Sequence, residues 1–260
     1  MPTKIVSVPI FVTALLILTL CPVVKGHSGD EIIAEFGTTP TIDGMISVGE
    51  WDDANNVAFP ATDGNCTVYL KHNSSYLHVA FDIPDNSYNN SDRSWLVIDV
   101  EHDGGTVTQT DDIALRVYRD GSIDELHGKG DGTWQSFTPT GWNGATFSVS
   151  TRYTNEYSIL YSKINITAGV EKTLGIQLIV YNVTGPSIVT SFRWPSGSSY
   201  PPDTWGNLTS SETLPWIPEF PASLIFPTLA IATLLATLVV RRKRAMKSRQ
   251  RTLTVIAMPS

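Results

Sequence analysis

Residues 40–54 read PTIDGMISVGEWDDA, with Asp43, Glu50, Asp52 and Asp53 set around Gly44, Gly49 and Trp51. Ile42 and Trp51 are apolar anchors in a polar stretch, and a tryptophan buries a large area while its ring nitrogen still seeks an acceptor. Gly44 and Gly49 admit turn geometry that a side chain resists, and Asp43 can bond its own turn backbone. The stretch is therefore expected to be a corner that leads into a sheet, its acids serving the frame rather than chemistry.

Downstream of this corner the pattern has the two-residue period of strands. Thr67–Lys71 and Tyr76–Phe81 flank residues 72–75 (HNSS), which predicts a hairpin. In its second arm Leu77, Val79 and Phe81 alternate with Tyr76, His78 and Ala80, so one face is apolar. Further strands are predicted at 94–100, 113–119, 145–151, 157–164 and 174–181. With no internal repeat and no convincing helical period, the spacing predicts an all-β domain, an antiparallel β-sandwich over residues 27–209. Residues 196–221 are rich in Pro and Gly and read as a closing loop followed, at 210–221, by an extended stalk.

The two ends predict export and anchoring. Lys4 precedes an apolar run from Ile5 to Val24, as in a signal peptide occupying residues 1–26, with an uncleaved signal anchor as the alternative. Residues 222–240 carry no charge, enough for a transmembrane helix. A basic tail at 241–260 follows it and is expected to stay cytoplasmic, leaving the body outside.

Between Asp30 and Glu219 lie all 25 Asp and Glu but only nine Lys and Arg, a net −16. Such a surface repels nucleic acid, and no nucleic-acid partner is expected. Divalent cations and neutral polymers are the partners this balance permits. Cys21 falls in the leader and leaves Cys66 alone, so no disulfide within the chain is expected. Six sequons, at Asn65, Asn73, Asn89, Asn165, Asn182 and Asn207, fit a glycosylated surface protein.

One loop has a composition suited to a hard cation. Asp99, Glu101 and Asp103 alternate before Gly104 and Gly105, and Asp111 and Asp112 follow. Alternate carboxylates at a glycine turn can converge on calcium, although a solvated loop has the same composition. It is no EF-hand, because Thr110 stands where the bidentate Glu is required.

The corner and the segments after it resemble, in order, family 9 carbohydrate-binding modules. The resemblance rests on PTIDG with GEW at 49–51, the hairpin ending at Phe81, DIPDN at 82–86, WLVID at 95–99, YSILYS at 157–162, LGIQLIVY at 174–181, and WPSG at 194–197 with DTWGNL at 203–208. It implies a β-sandwich that binds polysaccharide or cell-surface glycan without catalysis, often with structural calcium. It also implies an aromatic clamp, for which the matching neighbourhoods offer Tyr88 and Tyr200; Trp194 and Trp205 are further aromatic candidates, or closing-core residues. The sequence departs from the family pattern with Tyr where sugar-binding members use Trp, and with Trp95 where they often carry an acid.

Other chemistry has weaker support. His72, His78 and His102 would have to meet for a haem-binding electron carrier, a reading that related sandwiches suggest. No nucleophile elbow, HExxH or phosphate loop is found, so no enzyme is expected. Finally, Pro218, Glu219 and Phe220, then the apolar segment, then Arg241–Arg244, resemble the PEF-type sorting signals of archaeal surface proteins. That resemblance implies an archaeosortase partner that replaces the anchor by a lipid, with a permanent single-pass helix as the alternative. The expected protein is a cell-surface glycan binder, or else a structural or adhesion component of the envelope.

Overall fold

The computed structural model describes residues 27–210 apart from 168, 169, 171, 186 and 187. The predicted signal peptide, the stalk and sorting motif beyond Ser210, the membrane helix and the basic tail lie outside the described residues. Among the described residues no helix is long and apolar enough to cross a membrane.

The described residues form thirteen strands: β1 (Glu31–Phe36), β2 (Asn55–Ala61), β3 (Gly64–His72), β4 (Tyr76–Pro84), β5 (Arg93–Asp99), β6 (Asp112–Tyr118), β7 (Ile123–Gly128), β8 (Trp134–Phe137), β9 (Trp142–Val149), β10 (Arg152–Leu160), β11 (Leu174–Thr184), β12 (Ile188–Trp194) and β13 (Gly206–Ser210). The fold is all-β, as expected. One sheet runs β8-β7-β6-β5-β11-β13-β1 with β12 beside β11, and the other β1-β3-β4-β10-β9 with β2 beside β3. Strand β1 joins them: residues 31–34 pair in parallel with β13, while Glu35 and Phe36 pair with Lys71 and His72 of β3.

The alternation that predicted strands also builds the core. Val68 and Leu70 of β3, Val79 and Phe81 of β4, Leu96 and Ile98 of β5, and Ile176 and Leu178 of β11 are buried in one cluster between the sheets. A polar bridge crosses that cluster. Tyr157 Oη lies 2.6 Å from Ser94 Oγ and accepts from Val117 N at 3.2 Å, and Asn155 Nδ2 donates to Ser94 Oγ and Val117 O, each at 2.8 Å. Because a buried donor without a partner is costly, these bonds set how β10 sits against β5 and β6.

Two expectations are corrected. The strand predicted over 157–164 ends at Leu160, and Tyr161–Ile164 is a 3-10 turn. Residues three apart eclipse in such a turn, so Tyr161 and Ile164 both point into the core. The predicted closing loop contains β13, which lies between β1 and β11 with Leu208 buried. Strands β1, β2, β7, β8 and β12 carry no strong sequence signal and were not expected.

The leading corner, residues 40–54, covers the outer face of the second sheet, and it is a frame. Gly44 has φ +88°, and a Cβ there would lie 2.2 Å from the Thr146 carbonyl carbon. Asp43 Oδ1 accepts from Met45 N, Glu50 accepts from Thr41 N and Ser47 N, and Asp53 accepts from Thr38 N. Buried Lys71 donates to Asp53 Oδ1 at 2.8 Å and to Glu50 O at 2.5 Å, beneath the Trp51 ring. The pin that sequence reading missed is Glu156 of β10. It accepts from Gly44 N at 2.8 Å, Asp43 N at 3.1 Å and Trp51 Nε1 at 3.0 Å.

Burial pushes the Glu156 carboxyl up to about 7, against the pull of the Gly44 and Trp51 donors. Between the ordinary glutamate value of 4.5 and about 7, the folded carboxyl holds a proton that the unfolded one has released. This group therefore adds stability as pH falls through that window, by up to about 1.4 kcal/mol per pH unit. Melting curves from pH 8 to pH 5 should show a steeper rise in midpoint for the unaltered protein than for Glu156→Gln. Identical slopes in the two proteins would refute the assignment.

Candidate functional site

Strand register decides what the outer face of the first sheet presents. Arg93 lies opposite Tyr118 on one side and Tyr181 on the other, and Trp95 opposite Arg116 and Ile179. Ile179 in turn pairs with Arg193 of β12. Since Ser94, Leu96 and Leu178 point into the core, these residues share the opposite face. The face thus interleaves three arginines with aromatic rings.

The guanidinium groups lie as plates over those rings. Arg93 sits 4.7 Å from the Tyr181 ring centre, 5.4 Å from Tyr118 and 5.8 Å from Trp95. Arg116 sits 4.8 Å from Trp95 and is held by Asp124, which takes it in a two-pronged pair. Each contact is a cation–π attraction of about 0.5–2 kcal/mol. Trp95 and Tyr181 are consequently only 9% and 7% exposed. What this face offers a ligand is mainly guanidinium.

The segment after β12 folds over the edge of the same face. Gln177 Nε2 of β11 donates to Ser198 Oγ and Ser199 O at 2.9 Å, and Trp205 Nε1 donates to Ser199 O at 3.1 Å. This fastening presents Tyr200, 59% exposed, with Arg193 4.7 Å from its ring centre. Burial, with Tyr200 next in effect, raises the phenol of Tyr181 above its ordinary value. Arg193 also lines an open cleft of about 440 Å³ with Ser191, Ser196 and Ser198.

Tyr88, 65% exposed, is presented by a different device. Its loop is tied to buried Arg119, whose Nη1 lies 3.2 Å from both Asp85 and Asp92 and whose plane lies 4.8 Å from the Tyr88 ring. Asn182 Nδ2 donates to Asp85 at 2.9 Å, and Asn89 Nδ2 to Val183 O, fastening the loop to the end of β11. Tyr88 and Tyr200 are thus both exposed, but they are not stacked on each other. Each covers a different arginine, and β5 and β11 lie between the strands leading to those arginines. The other two aromatic candidates are packed: Trp205 is buried, and Trp194 lies against the main core and beside Gly206.

In the acidic loop, Asp99, Asp103 and Asp111 each bring a carboxylate oxygen within 4.8 Å of the others. Asp99 is buried and its Oδ1 has no hydrogen-bond partner. Burial, with the charges of Asp111 and Asp99, raises Asp103 above its ordinary value, a sign of crowded negative charge. Such a set of hard oxygens fits calcium. Glu101 and Asp112 are not brought into it, since Glu101 turns to Asn165 Nδ2 and Lys172, and Asp112 accepts from Gln109 N at 2.6 Å.

The sequons differ in access. Asn65 and Asn165 are exposed; Asn73, Asn89 and Asn207 are half-buried and hydrogen-bonded. Asn182, 3% exposed with its amide donating to Asp85, has no room for a glycan in the folded domain, which corrects that expectation. The histidines do not converge either. His72 bonds Ser210 and Tyr161 and His78 bonds Asn73, whereas His102 stacks on His27 beside Asp99.

Comparison of the sequence with protein-family models and with curated proteins finds no match. Solved structures do share the fold. A family 9 carbohydrate-binding module from Caldicellulosiruptor kristjanssonii in complex with cellotriose aligns at a TM-score of 0.57 and 17% identity, over 74% of this chain and 100% of that one. A family 9 module from the same organism in complex with glucose aligns at 0.56 and 17%, over 73% and 100%. At this identity the likeness is one of fold.

Sequence reading reached Tyr88 and Tyr200 through resemblance but missed Arg93, Arg116, Tyr181 and Arg193. The available signal was the i, i+2 pair Arg93 and Trp95 at the head of a strand that continues with apolar Leu96, Val97 and Ile98.

Proposed function

We propose that this domain is a non-catalytic glycan-binding module carried at the cell surface. The observation that carries the reading is an exposed ring, Tyr200, held at the edge of an arginine-rich face, on a fold shared with modules solved with cellotriose and glucose. An apolar sugar face would stack on Tyr200, and guanidinium and serine groups nearby would bond its hydroxyls. On a glycan array, the full chain in detergent should bind a defined subset of oligosaccharides, and Tyr200→Ala should weaken that binding at least about tenfold. Uniform silence across the array would sink the reading.

A calcium ion held by Asp99, Asp103 and Asp111 would brace the loop that follows β5. Millimolar calcium is then expected to raise the melting midpoint by several degrees and chelator to lower it, with Asp103→Asn abolishing the difference. An unchanged midpoint in calcium and in chelator would refute this brace.

Anchoring belongs to the same proposal. The chain is exported, held by the 222–240 segment, and processed at the Pro218–Glu219–Phe220 motif by an archaeosortase. Intact mass of the mature protein should end before residue 222; a mass that includes Ser260 would assign a permanent helix instead.

A further inference from the structure

Pairing of the basic side chains singles out two of them. Lys71 pairs with Asp53, Arg116 with Asp124, Arg119 with Asp85 and Asp92, Lys129 with Asp131, Arg152 with Asp82, Lys163 with Glu125 and Lys172 with Glu101. Among the described residues that leaves Arg93 and Arg193 without a carboxylate, in a domain, residues 27–209, with 23 acids for nine bases. Both lie on the one face, on strands that flank Tyr181. Surplus acid makes an unpaired arginine improbable by chance, and two on one patch more so.

Both arginines also keep unused donors. Arg93 donates through Nη1 to Ser91 O at 2.8 Å, but its buried Nε has no partner. Arg193 reaches only Ser198 O, at 3.5 Å, and its buried Nε is likewise unpartnered. Between them Trp95 Nε1 is a third buried donor without an acceptor. These three N–H groups lie out of solvent and do not themselves meet a ligand. What the face turns outward is the outer guanidinium nitrogens of two half-buried arginines that no carboxylate holds, and these describe an anion acceptor more than a neutral one. A guanidinium fork matches a planar carboxylate in two parallel bonds, which are stronger than bonds to a hydroxyl.

Resting on the glycan-binding reading, we infer that this face selects an acidic sugar, its carboxylate or sulfate ester taken by Arg93 and Arg193 while the pyranose ring stacks on Tyr200. The field of the domain decides the length of ligand. Charges on other parts of the surface are screened beyond roughly 10 Å at 0.1 M salt, so the local cations govern one sugar residue at the patch. A long polyanion would run onto acidic surface and be repelled. The matching ligand is therefore one acidic residue, or the end of a chain, rather than an extended anionic polymer.

The test uses the full chain in detergent, titrated with trigalacturonate, with its neutral methyl ester, and with a sulfated galacto-oligosaccharide of equal length. The acid or the sulfate should bind at least about tenfold tighter than the ester, with the preference shrinking as salt rises. Whichever anion binds tighter identifies the source of the charge. Arg93→Gln and Arg193→Gln should each remove most of the preference while binding of the neutral ester persists, and Arg152→Gln, on the other sheet, should leave the preference intact. Equal binding of acid and ester overturns the inference and leaves glycan binding standing. No binding of these three by a chain that does bind neutral glycans on the array overturns the inference in the same way. Silence toward every sugar tested removes both.

Discussion

Lys71 and Arg119 are bases drawn out of water, and Lys163 is mostly so; burying such a charge is tolerable only where a carboxylate meets it. Each of these pairs joins a loop or strand end to something distant in the chain. Lys71 and Asp53 hold the leading corner on the second sheet, Arg119 with Asp85 and Asp92 holds the loop that carries Tyr88, and Lys163 with Glu125 ties β7 to the turn after β10. Removing one partner from such a pair typically costs about 3–5 kcal/mol, because the other charge is left behind. The loops are thus located by electrostatics at particular points, while the sheets are held by apolar burial between them.

The same allocation gives the first sheet its character. A sheet in a two-layer fold has one face in the core, and its other face must meet water or be covered. On the second sheet the cover is the corner from 40 to 54, with Trp51 above Lys71 and Glu156 beneath the turn. On the first sheet the cover is partial: arginine plates lie over Trp95 and Tyr181, and the segment before β13 closes only one edge. Guanidinium stems cover apolar area while their ends stay reachable, so the face is at once well packed and chemically open. Shape and charge together leave Arg93 and Arg193 at that opening.

Local pattern was sufficient for much of the frame. Alternation in β3, β4, β5, β6 and β11 is strong because each has a largely apolar inner face, and the glycines of the corner announce a turn whose geometry only they tolerate. The acidic loop was legible for the same reason, as its carboxylates are close in the chain; yet only three of the five proposed ligands converge, since side-chain direction depends on what each meets. Strands β1 and β13 were hidden because they are short and their pairing is with each other, more than 170 residues apart.

What the sequence by itself determined is the all-β character, the inner faces of the long strands, the framing role of residues 40–54 and the acid surplus. Only the tertiary structure decided which base meets which acid. Arg119 finds Asp85 and Asp92 from 34 and 27 residues away, and Lys163 finds Glu125 from 38. No periodicity encodes such partners, because register across strands and the closing of loops bring them together. For the same reason the two arginines without partners, and the open face they define, became visible only once every other pair was in place.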